Sequence, residues 1–367
     1  MTDESYQKLL ASVIEGQDYL AWELEDAAQK RNDFSGQIVG RLSSSGDAID
    51  LEEIAELVAA SEGGLDWSPI DRFLDTIPAD LLRAPIEWWL DMQSAEQIPE
   101  KWGLVRYLDT FELRSQPYFP CRHPSSLRKL RILHLEDDIL DRHALADANQ
   151  LEELILRPAP ESSPHPKLGP PENYFTSISK LKLWSGELPF STDLSAFTLV
   201  PNLEKLYLTL CNNKAKIFDI SAITALKKLT HLHLRSWNSG VGGLETLSEL
   251  KQLEFLHLGG FYEGLATLPP LPELRKLELV EFSAHAPIKI PPELLSLHLE
   301  QCKDLKDLKF LACLQKLENI SLAHLPALTD ISGLTELPHL QKISLRNCPK
   351  VMDRELLLPG RIEVKIS

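Results

Sequence analysis

Apolar residues recur along most of this chain in the order apolar-x-x-apolar-x-apolar. Eleven segments fit: LDTFEL (108–113), LRILHL (130–135), LEELIL (151–156), ISKLKL (178–183), LEKLYL (203–208), LTHLHL (229–234), LEFLHL (253–258), LRKLEL (274–279), LLSLHL (294–299), LENISL (317–322) and LQKISL (340–345). Successive fourth positions lie 20 to 27 residues apart, the signature of a repeat architecture. Within each segment the period of two predicts a short strand with one apolar and one mixed face. One unit cannot bury its own leucines, so the units must stack and share a continuous core. Successive strands then pair in parallel, about 4.8 Å apart. The intervening segments suit a 3₁₀ turn or short helix on the far side, and IEVKI (362–366) predicts a closing strand.

The first 103 residues follow another rhythm. Tyr6, Leu9, Leu10, Val13, Ile14, Leu20 and Leu24 recur at helical spacing. Asp50 and Glu53 precede Ile54, Leu57 and Val58 as a capping pair. Ser68-Pro69 starts a further helix, and another covers roughly 79–93, broken at Pro85. Charge marks the same boundary. Residues 1–103 hold 22 acidic and 7 basic side chains, residues 104–367 hold 32 and 31, and the whole chain carries −16. Two domains follow: an acidic, all-helical cap over 1–103, and about eleven repeats plus a terminal strand over 104–367.

The repeated segments resemble those of the leucine-rich repeat family. DISAITALKKLTHLHL (219–234) and LTDISGLTELPHLQKISL (328–345) are similar to its short, bacterial, internalin-like class. Cys211, Cys302 and Cys348 stand at the position where the family places a buried Asn or Cys. The resemblance implies an α/β solenoid, with a parallel sheet on the concave face and 3₁₀ or short helices on the convex face. It also implies a non-enzymatic protein that binds another protein.

On that frame the middle variable residue of each strand faces outward. This column reads Lys182, Tyr207, His233, His257, Glu278 and His298 through the centre of the array. The column two residues earlier contributes Lys180, Lys205, His231 and Phe255, and the column two residues later Trp184 and Arg235. Trp184, Tyr207, Phe255 and Arg235 are residue types that anchor protein interfaces, and the lysines make the neighbouring patch basic. These twelve residues form the candidate partner-binding face.

Other chemistry is poorly provided for. Imidazoles and a carboxylate suit a transition metal, but side chains on adjacent strands run parallel instead of converging, so no metal or cofactor is expected. No activated Ser or Cys can be placed beside a histidine, so no catalytic residue is expected. RPAPESSPHPKLGPPENYF (157–175) reads as an inserted loop and SGVGGLET (239–246) as a turn. The acidic balance argues against nucleic acid. No apolar run is long enough to span a membrane, and MTDESYQKLL does not read as a signal peptide, so a cytoplasmic location is expected. Two alternatives remain: an immunity or antitoxin-like protein that neutralises a basic toxin or enzyme, and an F-box-like ubiquitin-ligase adaptor acting through IPADLLRAPIEWWLDM (77–92).

Overall fold

A computed structural model describes residues 29, 33–41, 57, 69–70, 110–112, 130–136, 145, 148–157, 175–189, 194–211, 217–263, 268–281, 290–351 and 362–366. The expected domain boundary at 103, the F-box-like segment and nearly all of the proline-rich loop lie outside these residues, as does most of the expected helical cap. The chain divides into two compact units: residues 1–152 with 159–169, and residues 153–158 with 170–367.

In the first unit, residues 33–41 are helical and bury Ser35 and Ile38. Strands β1 (Thr110–Glu112) and β2 (Ile132–Glu136) pair in parallel, with Phe111 opposite Leu133. That register is the one the repeat spacing predicts.

The second unit is a leucine-rich repeat array. Its strands are β3 (Glu153–Arg157), β4 (Leu183–Pro189), β5 (Lys205–Cys211), β6 (Ile217–Asp219), β7 (His231–Gly242), β8 (Phe255–Glu263), β9 (Lys276–Val280), β10 (Ser296–Glu300), β11 (Asn319–Ala323), β12 (Lys342–Arg346) and β13 (Glu363–Ile366). All except β6 follow one another in sequence order across a single parallel sheet, and β6 pairs with the far end of β7. Leu206, Leu232, Leu256, Leu277, Leu297, Ile320 and Ile343 stand in register and are fully or almost fully buried. Each such side chain removed from water stabilises the array by roughly 1.5–3 kcal/mol.

Short 3₁₀ segments return the chain behind the sheet at Leu194–Leu199, Ser221–Ala225, Leu244–Glu249, Lys309–Cys313 and Ser332–Glu336. Three begin with the same device. The carboxylates of Asp219, Asp307 and Asp330 accept the backbone N–H two residues on, at 2.9, 3.1 and 2.9 Å. An Asp side chain closing such a turn starts the 3₁₀ segment without help from other repeats. The entries to β5 and to β7 through β12 are also built alike: one carbonyl of the preceding repeat accepts two successive N–H groups. Glu204 O takes Thr230 and His231, Thr230 O takes Glu254 and Phe255, and Glu254 O takes Arg275 and Lys276.

Glu281, Gln301, His324 and Asn347, at the strand exits, and Gly260, at the equivalent position within β8, all have positive φ. The N–H groups of Glu281, Gln301 and His324 donate to the last carbonyl of the next strand at 2.8–3.0 Å. The thiols of Cys302 and Cys348, one residue further on, are buried. They donate to Leu279 O and Leu322 O of the preceding repeat, at 3.9 and 3.6 Å. These two cysteines therefore occupy the buried position under the turn that the resemblance implies.

Two local expectations fail. SGVGGLET does not form a turn throughout: β7 continues to Gly242 because β6 supplies a partner for it, and only Gly243, at φ +79°, reverses the chain. The fourth repeat is also shifted. Leu154, Trp184 and Leu206 stand in register, not Leu154, Leu181 and Leu206. Leu181, Trp184, Gly186 and Leu188 are the inward residues of this repeat.

Candidate functional site

The shift in the fourth repeat changes the candidate face. Trp184 is fully buried, with its ring edge-on to Phe175 (6.3 Å) and Phe197 (5.4 Å). A Cβ on Gly186 would lie 2.9 Å from the indole, so glycine at this inward position makes room for the tryptophan. Trp184 is a core residue and offers no aromatic anchor to a partner. Lys182 moves off the face as well. Its carbonyl accepts Glu204 and Lys205 N–H, which places it at the strand entry, equivalent to Glu204 and Thr230. Lys180 lies in the preceding turn. The outward positions of β4 are Leu183, Ser185 and Glu187, which stand opposite Lys205, Tyr207 and Thr209.

The rest of the expected face is assembled. Tyr207, His233, His257, Glu278 and His298 stand side by side on β5, β7, β8, β9 and β10. Tyr207 and His233 are 5.9 Å apart with rings tilted by 36°, and His233 stacks on His257 at 3.7 Å with planes 6° apart. One row over, His231 lies 5.6 Å from Phe255, and Lys276 Nζ lies 5.0 Å from the centre of the Phe255 ring. Parallel strands align the side chains; Tyr207, His231, His233 and Phe255 are half-buried, and His257 is buried.

Electrostatics fix the states of these rings. His257 Nδ1 lies 3.0 Å from Glu278 Oε2, and Lys276 Nζ 2.7 Å from Glu278 Oε1. The hydrogen bond to His257 outweighs burial, which acts the other way, and together with Lys276 it holds the Glu278 carboxyl down to about 2. An ionised carboxylate only accepts, so His257 Nδ1 carries a proton. His257 Nε2 lies above Gly259, 3.0 Å from where a Cβ would stand.

Thr230 Oγ1 lies 2.9 Å from His231 Nδ1 and 3.1 Å from Glu204 O, which fixes the orientation of the His231 ring. Burial, reinforced by Lys205, lowers the His231 pKa. Burial and the adjacent His257 push His233 down to about 4. His231 and His233 are thus neutral at neutral pH.

His298 belongs to a separate cluster. Its Nε2 lies 3.1 Å from Glu300 Oε2, while Glu300 Oε1 accepts from Arg346 at 3.1 Å.

Metal chemistry is poorly served by this geometry. Ring-nitrogen lone pairs lie in the ring plane, and the planes of His233 and His257 are parallel and 3.7 Å apart. No point lies in both planes, so the two cannot chelate one ion as they stand. Among the described residues no group of three His, Cys, Asp or Glu side chains is placed to hold a metal. No helix among them is long and apolar enough to cross a membrane.

No protein-family model matches the chain, and no curated protein does. Among solved structures it is similar to an internalin from Listeria monocytogenes, at 16% identity and TM-score 0.49, covering 72% of this chain and 76% of that one. A plant peptide hormone receptor, solved in complex with RGF2, matches at 17% and 0.39, over 71% of this chain and 45% of the receptor. A leucine-rich repeat protein from Leptospira interrogans matches at 18% and 0.35, over 74% and 93%. What identifies the fold is the chain's own register: leucines in line on every central strand, with 3₁₀ returns behind them.

Proposed function

We propose that this leucine-rich repeat protein is a non-enzymatic binding module that engages a partner protein through the open face of β5 to β9. One observation carries the reading: Tyr207, His231, His233, Phe255 and His257 form a contiguous patch of rings across three successive strands. The rings touch one another on the outward side of a sheet whose inward side already holds the core. Aromatic side chains packed side by side lose little further freedom on binding, the usual property of interface anchors. His257 has an orienting carboxylate, but the residue beneath its Nε2 is Gly259, which supplies no nucleophile.

The test is affinity capture with the full chain, followed by reconstitution from purified components. Wild type is compared with Tyr207→Ala/His233→Ala, after both show the same thermal unfolding. A partner that binds wild type directly and loses at least tenfold in affinity for the variant supports the face. Undiminished binding to the variant moves the site elsewhere in the chain. The identity of the partner separates a toxin inhibitor or a ligase adaptor from other binding proteins.

A further inference from the structure

We infer that β13 is a self-association edge: two copies of this chain pair antiparallel through it, Glu363 of each opposite Lys365 of the other. The contact is separate from the ring patch on β5 to β9. β13 ends the strand order of the sheet, and among the described residues only β12 pairs with it. Glu363 N–H donates to Gln341 O at 2.8 Å, so the N–H and C=O groups of Glu363 and Lys365 face β12. Those of Val364 and Ile366 point the other way and form an open edge. An edge of this kind is a template for a further strand.

Charge selects the partner and its direction. A parallel copy in register sets Glu363 against Glu363 and Lys365 against Lys365, like charges directly opposite. An antiparallel copy centred on Val364 sets each Glu363 against the partner's Lys365. This register also keeps the faces. Val364 meets the partner's Val364, and Ile366 the partner's Ile362, all on the side where Ile343 and Leu345 of β12 are buried. There Ile366 is 45% exposed on the single chain and Val364 half-buried. The backbone agrees: Val364 and Ile366 have their N–H and C=O on the open edge and form the hydrogen-bonded pairs. Glu363 and Lys365 then form the non-hydrogen-bonded pairs, in which Cα atoms are about 4.5 Å apart and side chains closest. On the single chain these two exposed side chains contact each other at 3.4 Å. A surface pair of that kind contributes little, so exchanging it for two cross-strand pairs costs little. The two-fold axis stands perpendicular to the sheet. Both outward faces therefore look the same way and present two ring patches together, which favours a partner with two sites.

The experiment is analytical ultracentrifugation of the full chain from about 1 to 200 µM, the range in which a small interface shows itself. The expected result is a monomer–dimer equilibrium with a Kd on the order of 10 µM. Dilute protein is then monomeric, with the outer edge of β13 open to water. Glu363→Lys and Lys365→Glu each weaken the dimer at least tenfold, because like charges then face each other. An equimolar mixture of these two variants dimerises again, because each meets opposite charges on the other. Val364→Pro removes an N–H at the centre of the contact, leaves the β12 ladder untouched and yields a monomer. Thermal unfolding of every variant is compared with wild type first, and the two charge variants decide alone if the proline variant is unstable. Wild type that stays monomeric at the highest concentration overturns the inference and leaves the edge to a strand of another protein. An assembly that survives Val364→Pro and both charge changes lies elsewhere in the chain and overturns it too. A mixture of the charge variants that stays monomeric overturns the antiparallel register.

Discussion

Trp184 shows how one residue can carry a whole repeat. Its indole fills the place that a leucine holds in the other strands, and it fits because Gly186, the next inward residue, has no side chain. Trp184→Ala should therefore cost about 3–5 kcal/mol in urea unfolding, as for other large-to-small core changes. Trp184→Phe should cost much less: most of the ring volume remains, and the buried Nε1–H has no acceptor among the described residues. Equal stability of wild type and the alanine variant would contradict the buried placement. His233 sets a pH dependence. The folded chain keeps this imidazole neutral down to about 4, whereas the unfolded chain takes up a proton near 6.5. The unfolded state binds more protons in between, so stability is full above pH 6.5 and falls as pH drops towards 4. The loss is on the order of 2–3 kcal/mol. Glu278, held down to about 2, adds a second decline below its ordinary range near 4.5. His233→Gln should shrink the first decline to the share that His231 contributes and keep the second, which unfolding midpoints measured from pH 7 to 3 would display.

At the level of the element, strand exits separate what spacing reveals from what packing decides. Gly260 has φ +73°, and a Cβ there would lie 1.7 Å from Ser236 O. Gly260→Ala should destabilise by about 3 kcal/mol or more, since backbone cannot yield as a side-chain end can. Gln301 occupies the equivalent position, at the exit of β10, at φ +56° with an exposed side chain. Gln301→Gly should raise stability by up to about 1 kcal/mol by relieving a left-handed conformation that only glycine adopts freely. Thermal or urea unfolding of the pair checks both signs. The Tyr207–His233–His257–Glu278 row was legible in the sequence because unbroken Leu-x-x-Leu-x-Leu segments fix the register. The fourth repeat was not. ISKLKL offers a second, equally periodic frame, and neither Trp184 nor Gly186 resembles an inward leucine. Only three-dimensional packing decides between them, since the indole needs the space at Gly186. The ring stacking of His233 on His257 and the His257–Glu278 contact depend on side-chain geometry that no spacing rule encodes.

Across the repeat unit, stability is shared between neighbours instead of being uniform. In such arrays each repeat is held by its own fold and by the interfaces on either side. β8 lies between β7 and β9, and its Leu256 and Leu258 are buried. β13 is last in the strand order and pairs with β12; Glu363, Lys365 and Ile366 are exposed, and Ile366 is one of the large apolar side chains left in water. Opening β13 breaks one interface, whereas opening β8 breaks two and exposes leucines. Amide exchange should therefore be graded along the unit. Val364 and Ile366 should exchange on the order of 100-fold faster than Leu256 and Leu258, a difference within the range of local opening energies. A segment bound across β5 to β9 would widen that gap, because it stabilises only the strands it touches. Equal protection of β8 and β13 would mean that the unit opens as one body, and the nearest-neighbour account would fail.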